Sequence, residues 1–158
     1  MREVIADDFS YIFRVANGPN EAICITTNGM IKTNGHAVMG RGIAKAADDY
    51  FKISLKLGEY LKKYGNRAFD MGFFSAYGQA PHHVLTFPTK HDWRNDSDIN
   101  LIRTSAEQIV RICNARNINF CYLPEPGCTN GHLNYETQVK PILESILDNR
   151  FVVVRTQK

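Results

Sequence analysis

The sequence predicts an α/β fold in which a mixed, mostly parallel sheet carries helices on both faces. Short apolar segments rich in β-branched residues alternate along the chain with longer segments whose apolar residues recur at helical spacing. Two glycine-containing loops, TNGHAVMGRGIA at 33–44 and PEPGCTNGHLNY at 124–135, each lie between a predicted strand and a predicted helix. In such sheets a ligand lies beyond the carboxyl ends of the strands, so we expect these loops to line the site.

Length and composition indicate a single globular domain. The chain has 158 residues, of which 44% are hydrophobic and 22% are charged, as in ordinary globular proteins. The net charge of +3 is too small to argue for a nucleic-acid partner by itself. No apolar segment reaches membrane-spanning length, and the first residues lack the apolar core of a signal peptide. The four cysteines include no C-x-x-C pair, so we expect one domain over residues 1–158, reduced, cytoplasmic and monomeric.

Short apolar segments bounded by turn residues are predicted to be strands. They are Tyr11–Val15, Ala22–Thr26, Phe69–Ala76, His82–Phe87, Phe120–Leu123 and Phe151–Val154. A helical pattern begins at Ile43; Gly58 is expected to divide it into two helices and Gly65 to end it. A helix capped by Asp96 or Ser97 follows. The apolar residues at helical spacing are Ile99, Ile102, Ala106, Ile109, Val110 and Cys113 in that helix, and Val139, Ile142, Leu143, Ile146 and Leu147 in the last one.

The first glycine loop has the properties of a phosphate-binding turn. Gly40 and Gly42 let the backbone approach an anion, and the following helix offers unpaired N–H groups and the positive end of its dipole. The spacing matches neither a dinucleotide fingerprint nor a nucleotide P-loop, and by itself it is equally typical of an ordinary tight turn. The second glycine loop strengthens the phosphate interpretation, because two such loops can clamp a diphosphate from both sides.

Three segments together resemble the macrodomain family, which binds ADP-ribose. They are TNGHAVMGRGIAKAA at 33–47, LTFPTKHDWR at 85–94 and LPEPGCTNGHLNY at 123–135. More narrowly, the sequence is similar to the branch that contains the DNA ADP-ribosyl glycohydrolase antitoxins and the terminal ADP-ribose glycohydrolases. FPTK-x-x-W-R combined with P-x-x-G-C-x-N-G is far more specific than either glycine loop alone. The resemblance implies a three-layer α/β/α sandwich with ADP-ribose in a cleft at one end of the sheet.

The resemblance also implies which residues contact ADP-ribose. Asn34, which alone would be interpreted as a turn-forming residue, is expected to hydrogen-bond the distal ribose and to take part in catalysis. The other expected contacts are Asp8 for the adenine, then Asn28, Met39, Gly40, Arg41, Gly42, Ile43, Pro88, Thr89, Gly127, Cys128, Thr129, Asn130, Gly131 and His132. Cys128 is interpreted as a small packed loop residue rather than a nucleophile. No cofactor is expected and no metal site, because the five histidines lack metal-ligand spacing.

Lys90 distinguishes an enzyme from a protein that only binds ADP-ribose. A solvated lysine is the usual interpretation of a single Lys, but enzymes of this branch use the lysine of the FPTK segment. Its amine is expected to attack the anomeric carbon once the link to the target breaks. That attack requires a neutral amine, which burial or the neighbouring Arg94 would have to favour. We therefore expect a lysine-dependent glycohydrolase that removes ADP-ribose from a nucleic-acid base or an acidic side chain.

Several alternatives stay open at this level. Gly131 occupies the place where some relatives carry an aspartate as general acid, so the proton donor is unassigned, with His36 and His132 as candidates. An ADP-ribose 1''-phosphate phosphatase, relying on Asn34 and the loop histidines, and a non-catalytic reader are the competing functions. Trp93 either stacks on a target base or only anchors its loop. Any toxin or transferase that the protein opposes is expected on a separate chain.

Overall fold

Six strands form one sheet in the computed structural model, which describes residues 1–156. The strands are β1 Arg2–Ala6, β2 Glu21–Asn28, β3 Asp70–Phe74, β4 His82–Lys90, β5 Phe120–Pro124 and β6 Phe151–Thr156, and the helices are α1 Ile12–Val15, α2 Ile43–Phe51, α3 Ser54–Tyr64, α4 Ile99–Arg116 and α5 Lys140–Ile146. The strand order is β1-β6-β5-β2-β4-β3, and every neighbouring pair is parallel except β3 with β4. The prediction of a mixed, mostly parallel sheet is therefore confirmed.

Helices cover both faces of this sheet. Alternate residues of β2 point to opposite faces: Ile23 and Ile25 belong to the apolar cluster beneath α1, α2 and α3, whereas Ala22 and Cys24 belong to the cluster beneath α4 and α5. Burial on both faces explains why this strand is continuously apolar in sequence. The α/β/α sandwich is confirmed. Within the described residues, no helix combines the length and the apolarity that crossing a bilayer requires.

The first predicted strand is wrong, because its residues are helical. Phe9–Tyr11 form a 3₁₀ turn and Ile12–Val15 form α1. Asp8 caps the turn, since its carboxylate accepts a hydrogen bond from the amide of Ser10 at 2.8 Å. The edge strand is instead β1, which pairs with β6 alone. Its sequence pattern is weak because only the last of its residues, Ala6, is buried.

Backbone geometry also moves the predicted boundary between the second and third helices. The break falls at Lys52, a left-handed residue with φ of 54° that ends α2, and not at Gly58. Gly58 is buried within α3, where a Cβ would lie 1.9 Å from the carbonyl oxygen of Gly35. Glycine at this position therefore allows α3 to approach the first loop closely. Gly65 ends α3, as predicted.

The N-cap of α4 is Asp98, one residue beyond Ser97 and two beyond Asp96, the predicted caps. Its Oδ1 accepts hydrogen bonds from the amides of Asn100 at 2.9 Å and Leu101 at 3.4 Å. A π-helical turn at residues 135–139 precedes the last helix, α5. The shift of the cap leaves two polar residues before α4 that make other contacts.

Candidate active site

A cleft of about 330 Å³ opens at the carboxyl ends of β2, β4 and β5. Its walls come from three segments that are far apart in sequence: the first glycine loop, the end of β4 with residues 93–97, and the second glycine loop. This is the position that the topology of a parallel sheet predicts for a ligand. The predicted site residues that line the cleft are Asn28, Met39, Gly40, Arg41, Gly42, Ile43, Thr89, Lys90, Gly127, Cys128, Thr129, Asn130, Gly131 and His132.

The first glycine loop presents backbone N–H groups at the start of α2. Gly42 precedes the helix with φ of 75°, and no side chain caps it, so the first amides of α2 are available to an anion in the cleft. The helix dipole favours negative charge at the same place. Asn28 fixes the loop: its Nδ2 donates to the carbonyl oxygen of Val38 at 2.9 Å, and its Oδ1 accepts from the amide of Met30 at 3.0 Å. The polar atoms of Asn28 are thus engaged within the protein.

The second glycine loop is held by its backbone against segment 91–98. The amide of Ser97 donates to the carbonyl oxygen of Gly131 at 3.1 Å, and the amide of Leu133 donates to that of Gly127 at 3.0 Å. A Cβ on Gly131 would lie 2.0 Å from Oγ of Ser97. Glycine is therefore needed at position 131 for the close approach of the loop to Ser97, and not for space within the cleft.

Lys90 lies between the two glycine loops, at the last position of β4. Its Nζ donates hydrogen bonds to the carbonyl oxygens of Asn130 at 2.9 Å and Trp93 at 3.4 Å. Two carbonyl acceptors suit a charged ammonium, which has only hydrogens to offer. Lys90 therefore places positive charge beside the second glycine loop and also joins that loop to the end of β4.

The charge of Arg94 is compensated by Asp92 rather than left to act on Lys90. Nε of Arg94 lies 3.0 Å from Oδ1 of Asp92, and its Nη2 lies 2.6 Å from Oδ2. These hydrogen bonds lower the pKa of Asp92 to about 2. The guanidinium carbon lies 5.9 Å from the ring centroid of Trp93, which is half exposed. Trp93 and Arg94 both line the cleft and give it a flat aromatic and cationic surface.

Asn34, predicted to bind and to be catalytic, lies outside the cleft lining. It is exposed within a hairpin closed by the bridge between Ile31 and Ala37. Its Oδ1 accepts from the amide of His36 at 3.1 Å, which is the ordinary role of a turn asparagine. His36 also lies outside the lining, and its Nδ1 is 2.8 Å from the hydroxyl of Ser54. Both residues thus belong to this hairpin and not to the lining of the cleft.

Two further predicted contacts are not among the cleft residues. Asp8 caps the 3₁₀ turn, although the next residue, Phe9, does line the cleft. Pro88 is buried in β4, where its carbonyl oxygen accepts a hydrogen bond from the hydroxyl of Ser105 at 2.7 Å. Its position in a strand that is buried on both sides thus places Pro88 in the core of the sheet.

Sequence reasoning missed several residues of the site. Phe9 was missed because it follows an edge strand that the pattern did not predict, and Ser97 because it was assigned to a helix cap. A smaller cavity of about 140 Å³ adjoins the cleft. The residues that line both are Phe9, Ile43, Pro124, Glu125, Cys128 and Thr129. Its remaining lining residues are Ile12, Val154 and Thr156.

The cysteine in the second glycine loop is Cys128, which is partly buried and lines the cleft. Its Sγ donates to the carbonyl oxygen of Pro126 at 3.3 Å. This contact agrees with a packed loop residue. Among residues 1–156, no group of three or more His, Cys, Asp or Glu is arranged to hold a metal ion.

The sheet order, the three layers and the cleft between two glycine loops are those of the macrodomain fold. The structure matches the macrodomain of Mycobacterium tuberculosis DarG with a TM-score of 0.72 and 25% identity over 99% of both chains. It also matches the macrodomain of Thermus aquaticus DarG (TM-score 0.70, 22% identity, 99% of this chain and 97% of the other). Thermosipho africanus DarTG in complex with ADP-ribose has a TM-score of 0.75 and 21% identity over 99% of this chain and 42% of the other. At 22% and 21% identity, the likeness to the T. aquaticus and T. africanus structures shows only that the fold is shared.

Sequence comparison leads to the same group of proteins. The DNA ADP-ribosyl glycohydrolases of M. tuberculosis and Mycobacterium bovis are each 28% identical to this chain over 125 residues, which are 77% of this chain. The aligned part is 36% of each relative, so this chain corresponds to about a third of their length. No family model matches the sequence. The resemblance predicted from the three segments is thus confirmed.

Proposed function

We propose that this chain binds ADP-ribose in the cleft and hydrolyses its bond to a modified macromolecule. The observation that carries the proposal is the position of Lys90, whose Nζ lies beside the second glycine loop, 2.9 Å from the carbonyl oxygen of Asn130. Binding alone requires the loop amides, whereas catalysis also requires charge near the bond that breaks. The name of the curated relatives, DNA ADP-ribosyl glycohydrolase, supports the same reaction.

The shape of the cleft suits the parts of ADP-ribose. The uncapped amides of α2 and the backbone of the second glycine loop provide donors for the diphosphate. The adjoining cavity, lined by Phe9, Ile12 and Val154 among others, provides apolar surface for the adenine. Lys90 is then left for the distal ribose, where the reaction takes place.

DNA is the favoured carrier of the ADP-ribose. Both curated relatives are named for action on DNA. In this chain, the half-exposed ring of Trp93 and the guanidinium of Arg94 offer a surface on which an unpaired nucleobase can stack. An acidic protein side chain is the alternative carrier.

The two competing functions have less support. A phosphatase was expected to rely on Asn34 and the loop histidines. Asn34 and His36 lie outside the cleft lining, and of these residues His132 alone lines it. A non-catalytic reader would give no role to Lys90 beyond its two loop hydrogen bonds. The reader is better supported than the phosphatase, because a purely structural role accounts for both hydrogen bonds of Lys90.

A panel of three substrates tests the proposal: ADP-ribosylated DNA, ADP-ribosylated protein and ADP-ribose 1''-phosphate. We expect release of ADP-ribose from the DNA, with no effect of a chelator. Calorimetry should show that ADP-ribose binds with a dissociation constant in the micromolar range, which corresponds to a binding free energy of about −8 kcal/mol. Binding without release from any substrate would support the reader, and release of phosphate alone would support the phosphatase. Absence of binding would contradict the assignment of the cleft.

A further inference from the structure

His132 holds a left-handed backbone conformation, which is uncommon for residues other than glycine although histidine adopts it more often than most. Three non-glycine residues in the described chain have positive φ: Lys52, Asn117 and His132. Lys52 and Asn117 end α2 and α4, where a left-handed residue is ordinary. His132, with φ of 64°, lies instead in the second glycine loop and lines the cleft. A left-handed non-glycine residue away from a helix end is strained, and such strain concentrates at functional sites.

Asp96 fixes the imidazole of His132 in this position. Nδ1 of His132 lies 2.7 Å from Oδ1 of Asp96. A carboxylate only accepts hydrogen bonds, so Nδ1 carries the hydrogen and Nε2 is the nitrogen left to exchange a proton with a ligand. Both side chains are about three-quarters exposed, at 72% and 74%, so the pair adds little to folding stability. The contact orients the ring of a cleft residue more than it stabilises the fold.

The neighbouring contacts reinforce this arrangement. The amide of Ser97, next to Asp96, donates to the carbonyl oxygen of Gly131, next to His132, at 3.1 Å. One backbone bond and one side-chain bond thus join the same two segments. Lys90 forms a third contact to the second glycine loop. The histidine, its carboxylate and the lysine are therefore held together at one wall of the cleft.

We propose that His132 transfers the proton in the hydrolysis and that Asp96 positions it. The inference rests on the proposed glycohydrolase function. As the bond from the anomeric carbon to the leaving atom breaks, its electron pair stays on the leaving atom, which takes the proton from Nε2. A water molecule then adds to the anomeric carbon and gives one proton to Nε2. One water is consumed, hydroxyl is added to the sugar and hydrogen to the leaving group, and His132 returns to its starting state.

His132→Asn tests this role without disturbing the loop, because asparagine accepts the left-handed conformation but cannot exchange a proton at neutral pH. We expect its hydrolysis rate on ADP-ribosylated DNA to fall at least about 100-fold, while ADP-ribose affinity stays within about threefold. The matched control is His91→Asn. His91 also pairs with an aspartate of the same segment, Asp98 at 2.9 Å, but it lies outside the cleft lining. The control should hydrolyse at the wild-type rate.

A leaving group that needs no protonation separates proton transfer from a structural role. ADP-ribose linked to 4-nitrophenol releases a stable anion, so the loss caused by His132→Asn should be at least about tenfold smaller on this substrate. In Asp96→Asn the hydrolysis rate on ADP-ribosylated DNA should fall while ADP-ribose affinity stays within about threefold of the wild type, and the loss should again be smaller on the 4-nitrophenol substrate. The other charged groups that line the cleft are Arg41, Lys90, Arg94 and Glu125, and they are unchanged in that variant.

The outcomes separate this inference from the function on which it rests. A wild type that releases no ADP-ribose would overturn the proposed function and the inference together. A wild type that is active, with His132→Asn equally active or equally impaired on both leaving groups, would overturn the inference alone. A selective loss on the DNA substrate in both His132→Asn and Asp96→Asn supports it.

Discussion

Gly42 and Asn130 face each other across the cleft: a Cβ on Gly42 would lie 3.7 Å from Nδ2 of Asn130. The two residues belong to glycine loops that are separated by most of the chain. Their approach brings the uncapped start of α2 opposite the second loop, so that one anionic ligand can contact both. Any side chain larger than hydrogen at position 42 enters that space.

Gly42→Glu is expected to lower ADP-ribose affinity by at least about tenfold, or about 1.4 kcal/mol. The new carboxylate would repel the diphosphate at the start of α2, and φ of 75° would be strained. Calorimetry measures the affinity. Gly78→Glu is the matched control, because Gly78 has a similar φ of 79° with open space around it and lies outside the cleft lining. Equal affinities in the two variants would contradict binding at this loop.

Lys90→Ala is expected to bind ADP-ribose and to lose at least about 100-fold in hydrolysis, or about 2.7 kcal/mol of transition-state stabilisation. Lys90→Arg separates two roles of the lysine. Arginine keeps the charge and can donate to the carbonyl oxygens of Asn130 and Trp93, so it should retain part of the rate if the charge is what matters. If the amine is the nucleophile, both variants should be equally slow, and borohydride should trap ADP-ribose on the wild type alone.

The control for Lys90 is thermal unfolding, since its Nζ also joins two segments. If Lys90→Ala lowers Tm so far that the variant is largely unfolded under the assay conditions, its loss of hydrolysis rate would indicate a structural role for the lysine. Lys62→Ala, at an exposed position in the last turn of α3, should change neither quantity.

Gly131→Ala is expected to destabilise the fold by about 1–3 kcal/mol, because its Cβ would meet Oγ of Ser97 at 2.0 Å and the carbonyl oxygen of Gly127 at 2.5 Å. Denaturant unfolding measures the change. Thr129→Ala, at an exposed position of the same loop, should stay within about 0.5 kcal/mol of the wild type. Wild-type stability in Gly131→Ala would show that the loop can move away from Ser97 without cost.

The pH dependence of stability should depend in part on His82. Burial lowers the pKa of this imidazole below its ordinary value of 6.5, and its Nε2 is buried without a hydrogen-bond partner. The unfolded chain therefore binds a proton at a pH where the folded protein does not. Stability should be complete above about pH 6.5 and fall as the pH decreases below it, by at most about 1.4 kcal/mol per pH unit.

Unfolding measured between about pH 7.5 and pH 5.5 tests the role of His82. His82→Phe keeps an aromatic ring near Phe51, whose centroid is 6.4 Å away, and should flatten the pH profile. His91→Phe replaces an exposed histidine. It should change the dependence of the unfolding free energy on pH less than His82→Phe does. An unchanged slope in His82→Phe would assign the acid sensitivity to other groups.

Local sequence patterns predicted most of the sheet. The consecutive buried residues of β2, from Ala22 to Ile25, required a strand with helices on both faces, because alternate side chains enter different layers. The glycine loops could be recognised because positive φ and close approach restrict the residue type at Gly42 and Gly131. Lys90 could be placed at the cleft because it ends a buried strand.

The features of the fold and site that the sequence did not predict depend on contacts between segments that are far apart in the chain. Asn34 and Asn28 look alike in sequence, yet one lies in a hairpin closed at Ile31 and Ala37 and the other at the end of β2. The pairing of His132 with Asp96 joins residues 36 positions apart. No periodicity or local propensity encodes such a pairing. The pairing depends on the lengths of two loops and on the packing of Gly131 against Ser97. That packing exists only once the sheet and its helices have assembled.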